Sequence, residues 1–85
     1  MKTFEYVITS DEQIHARPAK ELVALAKKYT SEIKIEKGGK QVKMNSLILI
    51  MSLAIKKGDT ITVSANGDDE DAAIAEVETY LKANL

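Results

Sequence analysis

Glu32-Ile33-Lys34-Ile35-Glu36-Lys37-Gly38-Gly39-Lys40-Gln41-Val42-Lys43-Met44 decides the fold. Charged and apolar residues alternate from Glu32 to Glu36, and polar and apolar residues alternate again from Gln41 to Met44. Period two is the signature of a strand. The Gly38-Gly39 pair between the runs supplies the positive φ angles of a tight turn, so the segment predicts a β-hairpin. Each strand has one apolar and one polar face, which implies an antiparallel sheet covered on one side only.

Further along the chain, Asn45-Ser46 precedes Leu47-Ile48-Leu49-Ile50-Met51-Ser52-Leu53, a short helix with Ser46 as N-cap. Lys57-Gly58-Asp59 reads as a turn. Thr60 to Ala65 then sets Thr and Ser against Ile61, Val63 and Ala65, and Asn66-Gly67 closes this strand. A last helix opens with Asp68, Asp69, Glu70 and Asp71, acids suited to the positive end of a helix dipole. It continues with Ile74, Val77 and Leu81 at helical spacing. Toward the N-terminus, Leu22, Val23, Leu25 and Ala26 form the apolar stripe of a helix over residues 16–28. Thr3 to Ile8 alternates as a first strand, with Phe4, Tyr6 and Ile8 on one side. The order is β-α-β-β-α-β-α, an α+β open-faced sandwich with three helices on the apolar face of a four-stranded antiparallel sheet. Apart from the hairpin pairing, periodicity leaves the strand order open.

The 85 residues predict a single domain, 1–85, whose core removes roughly 60–65% of the unfolded surface from water. Twelve Lys and Arg nearly cancel thirteen Asp and Glu, and hydrophobic residues make up 45%. This balance excludes a disordered charged tail. It also argues against a dedicated nucleic-acid binder, because a net charge of -1 provides no bulk attraction to phosphate. With no cysteine there is no disulfide, thiolate or Cys-based metal chemistry. The longest apolar run is far too short to span a bilayer, and no signal peptide pattern is present, so a cytoplasmic protein without membrane insertion is expected.

The one histidine, one arginine and one proline all fall in His15-Ala16-Arg17-Pro18. The group sits where the first loop meets the first helix, and proline suits a first helical turn. A helix N-terminus with free N–H groups is a ready anion seat, and a guanidinium fork suits phosphate oxygens. His15 beside it reads as a nucleophile toward phosphorus, with Ala16 and Arg17 as phosphate-binding partners. Two plainer readings stand beside this one: His15 as a helix cap or as a solvated loop residue. One His with no second His or Cys cannot assemble a conventional zinc site, so metal binding is the weaker reading.

In the short helix, Ile50 and Leu53 are expected to face the sheet. Leu47, Ile48 and Met51 fall on another side, either as further core or as a docking patch. Lys20, with Arg17 and Lys27, provides a basic rim that could steer an acidic partner. A phosphoryl group on Ser46 would suit the positive end of this helix.

On these residues the chain resembles HPr, the histidine-containing phosphocarrier of the bacterial phosphoenolpyruvate:sugar phosphotransferase system. Ile14-His15-Ala16-Arg17-Pro18-Ala19 is similar to the family's active-site motif, and Ser46 to Leu53 to its regulatory-serine segment. The resemblance implies a sheet in the order 1-4-2-3. It implies phosphoryl transfer from enzyme I to Nδ1 of His15 and onward to sugar-specific IIA proteins or domains, stabilised by Arg17. Leu47, Ile48, Met51 and Lys20 would meet these partners, with no cofactor and no metal. Ser46 would be the target of HPr kinase/phosphorylase, and the phosphoserine form would bind the catabolite control protein in carbon catabolite repression. A monomeric, stoichiometric carrier is expected rather than an enzyme. A purely regulatory adaptor and a small acylphosphatase-like enzyme are the alternatives. The chain departs from the family pattern at Gln13, Asn45, Ile48, Leu49 and Ala54, the last two standing where glycine is usual.

Overall fold

The computed structural model describes residues 1–9 and 16–85, and for Ala16 and Arg17 the backbone only. The elements are β1 (Lys2–Val7), α1 (Ala16–Lys28), β2 (Glu32–Lys37), β3 (Lys40–Lys43), α2 (Leu47–Ser52), β4 (Thr60–Asn66) and α3 (Glu70–Asn84). The predicted hairpin forms: Lys37 pairs with Lys40 across Gly38 and Gly39, whose φ angles of 59° and 84° are both positive. These are the angles of a type I′ turn, whose twist matches that of the strands it joins.

The four strands form one antiparallel sheet in the order β1-β4-β2-β3. β4 is central, so Val63 has Phe4 on one side and Ile35 on the other. Ile33, Ile35, Val42, Ile61, Val63 and Ala65 turn inward and are buried. Ala19 and Leu22 of α1, Ile50 of α2, and Ala73, Val77 and Leu81 of α3 cover them, each fully buried. Thr3, Glu5, Gln41 and Lys43 lie exposed on the other face. This is the open-faced α+β sandwich that the alternating strands predict.

Two details differ from the sequence reading. Ile8 is buried as its alternation requires, yet β1 ends at Val7. The Ile8 amide donates to the Asp59 carbonyl at 2.9 Å, and its carbonyl accepts from Gly58 at 2.9 Å, so its backbone serves the turn before β4. The acidic run, secondly, is divided between two tasks. Glu70 and Asp71 occupy the first turn of α3, but Asp69 makes no capping bond to that helix. Its carboxylate instead accepts from the Thr30 and Ser31 amides, both at 2.9 Å, and from the Ser31 hydroxyl. The Ser31 hydroxyl, then the Thr30 amide, stabilise the charged form and draw the Asp69 carboxyl down to about 2.

Gly67 explains how these turns come so close. A Cβ there would stand 2.6 Å from Ser31 Oγ and 2.7 Å from Ser31 Cα. The α1–β2 and β4–α3 turns are therefore locked together by a carboxylate and a missing side chain, both supplied by the β4–α3 turn.

Candidate functional site

α1 begins at Ala16, directly after His15, and Pro18 sits in its first turn. The first turn carries no acidic residue, which leaves its positive end uncompensated by side chains of its own. His15, with Gln13 and Ile14, lies outside the described residues, and nothing is described of the Ala16 and Arg17 side chains. Lys20, one turn further on, is exposed. Among the described residues, no group of three His, Cys, Asp or Glu side chains could hold a metal ion. No helix among them is long and apolar enough to cross a membrane.

α2 packs beside α1. Ser46 is its N-cap, with extended backbone and an Oγ that accepts from the Leu49 amide at a long 3.4 Å. The run of apolar residues divides by helical angle. At about 100° per residue, Leu47 and Leu53 each lie only about 60° from Ile50. Ile50 and Leu53 are buried, as expected, and Leu47 packs half-buried against the core. Ile48 lies nearly opposite Ile50 and is 80% exposed; Leu49 and Met51, at about 100° to either side, are 40% and 42% exposed. The exposed apolar surface is therefore Ile48, Leu49 and Met51. Leu49, which the sequence reading leaves out of this face, is exposed while Leu47 is half-buried, as the same angular geometry applied to the sequence would have indicated.

α2 ends abruptly. Leu53 is its C-cap, and Ala54 follows at φ 50°, left-handed backbone in which an L side chain is strained. The family pattern has glycine at this position, and the backbone shows why.

A polar cleft of about 300 Å³ opens elsewhere, between Ala26, Lys27, Thr30, Lys43 and Asn45. It lies about 15 Å along α1 from the first turn.

An antiparallel sheet covered on one face, a helix that starts directly after His15 and a short helix that exposes three large apolar side chains define a small open-faced α+β domain. The family model of the PTS HPr component phosphorylation site matches residues 2–83. The chain belongs to the HPr family, the phosphocarriers of the phosphotransferase system. Solved structures agree. HPr of Thermoanaerobacter tengcongensis is 37% identical, with 98% of this chain and 93% of that one covered and a TM-score of 0.92. The phosphocarrier protein HPr of Bacillus anthracis is 34% identical over 94% and 95%, with a TM-score of 0.87. Crh of Bacillus subtilis, a catabolite repression protein whose structure is a domain-swapped dimer, is 34% identical over 89% and 87%, with a TM-score of 0.78.

Proposed function

We propose that residues 1–85 act as one stoichiometric phosphocarrier unit in the cytoplasm, without cofactor or metal, accepting a phosphoryl group on His15 from phospho-enzyme I. The unit then passes that group to a sugar-specific IIA protein or domain. The observation that carries this reading is the family match over residues 2–83, together with a helix that begins immediately after the histidine. The neutral imidazole Nδ1 attacks phosphorus as the donor's P–N bond breaks, and the donor imidazole leaves with the electron pair. The amides opening α1 and the Arg17 fork neutralise the phosphoryl oxygens, so chemistry here is mainly placement and charge. Partners dock on Ile48, Leu49 and Met51, with Leu47 supporting that face from the core and Lys20 at its basic rim. Such a unit binds protein surfaces and needs no substrate pocket of its own.

His15→Ala is expected to abolish acid-labile labelling from phosphoenolpyruvate and enzyme I, measured by radiolabel or phosphate-affinity gel. Label that persists in this variant sinks the carrier reading.

We infer further that Ser46 is a regulatory phosphorylation site for HPr kinase/phosphorylase, and that the phosphoserine form recruits the catabolite control protein. In support, Ser46 stands at the positive end of α2, where a phosphate meets the helix dipole favourably. The similarity to Crh favours a second reading, a regulatory adaptor that docks partners without carrying phosphate. The His15 variant separates the two, since an adaptor keeps its partner affinity without any labelling in the parent chain. For the carrier a monomer is proposed, with β1 paired to β4 of its own chain along six residues, which gel filtration checks.

A further inference from the structure

α2 has six residues, fewer than two turns, and no basic side chain in its last turn. A helix this short has little stability of its own, and its terminal carbonyls need partners. The Leu53 and Ala54 amides close on the Ile50 and Met51 carbonyls at 3.1 Å, and the hairpin tip braces the groups around that end. Lys37, the last residue of β2, donates to the Ala54 carbonyl at 2.8 Å and sits 2.9 Å from Asp59 Oδ2. Lys40, the first residue of β3, donates to Ser52 Oγ at 3.1 Å, and the Ser52 hydroxyl donates on to the Leu49 carbonyl at 2.6 Å. Asp59 completes the arrangement by accepting the Lys56 amide at 2.9 Å, which closes the loop leading from α2 to β4.

Lys37 and Lys40 stand directly opposite each other in the ladder. Two like charges there repel, a cost that a hairpin with no other demand on its tip would avoid. Here each ammonium turns to oxygens at the end of α2, where the helix dipole is negative. The Lys37 and Asp59 side chains are only 24% and 21% exposed, so water screens this pair less than a free surface pair.

We propose that Lys37 and Lys40 are positioning residues for the docking face of α2. They hold the Ile48–Met51 turn and the Ala54 corner in the pose a protein partner meets, and touch no reacting atom. The functional consequence rests on the carrier reading above; the structural one does not.

The test is the Lys37→Met/Lys40→Met double variant in the full chain. In the free protein, the amides of Ile50, Leu53 and Ala54 are expected to exchange with deuterium about tenfold faster, while β1–β4 amides keep the parent rate. In transfer from phospho-enzyme I, KM for the carrier is expected to rise roughly fivefold with kcat within a factor of about two. Lys37→Arg, whose fork reaches both oxygens, is expected to retain parent behaviour. Unchanged exchange in α2 overturns the proposal. So does an equal acceleration across β4, which would mean general loosening. If the double variant does not fold, Lys40→Gln alone carries the same comparison. A parent chain that takes no phosphoryl group from enzyme I refutes the carrier reading, while the exchange data still decide the positioning role.

Discussion

The turns at one end of the molecule and the short helix α2 handle surface in opposite ways. At the first, Gly67 presses on Ser31 so closely that a methyl group has no room, and Asp69 satisfies two backbone amides and a hydroxyl from across the fold. At the second, Ile48, Leu49 and Met51 remain in water, the N-cap bond is long, and a strained alanine ends the helix. One region is built to stay closed. The other leaves apolar area uncovered, which costs solvation in the free protein.

The largest effect expected is at the closed end. Gly67→Ala should cost about 2 kcal/mol, the usual scale of overpacking, because the new methyl group meets the backbone Cα of Ser31. Denaturant unfolding measures it, and an unchanged midpoint would mean the two turns are not interlocked as described. Acid provides a second probe of the same place. The Asp69 carboxyl lies at about 2 in the folded chain, below its ordinary 3.8, so the unfolded chain binds the proton more readily between these values. Its contribution is therefore complete above about pH 4 and is lost as the pH falls toward 2. Melting temperatures should drop through this window, and Asp69→Asn should show a shallower drop. Some slope should remain, because Asp59, Glu70 and Glu76 are also drawn below their usual range by hydrogen-bond partners. Equal slopes in parent and variant would remove Asp69 as the lock. The smallest effect belongs to α2. Ala54→Gly should raise stability by about 1 kcal/mol, relieving left-handed strain less the added freedom of the unfolded chain. A loss of stability in thermal melts would show that the corner is not strained.

What could be read in the residues follows the range of the interactions. The strands, the turn glycines and the helical stripes are local patterns, and they predict the elements to within two residues at the ends they mark. The central place of β4 depends on ladders between distant segments, and only the family resemblance implied it. Asp69 was expected to serve its own helix because three other acids stand beside it; its partners Thr30 and Ser31 are 38 and more positions away. The exposure of Leu49 is missed because the run is apolar all round, and composition without the helical angle does not say which side meets the core. The candidate segment at His15 stands out for a different reason. Its rare residue types, one histidine, one arginine and one proline, fall together. The lysines that brace α2 gave no such signal among the many lysines of the chain.

The place of β4 between β1 and β2 also governs how the chain is made. A ribosome that has delivered residues up to Asp59 has supplied three strands, yet only the β2–β3 ladder can zip, since both other ladders run through β4. Cooperative assembly of the sheet must wait for β4. Such long-range closure slows folding relative to a helical bundle of equal length, and a nascent chain stalled before Thr60 would offer its Phe4, Ile33 and Ile35 surfaces to chaperones.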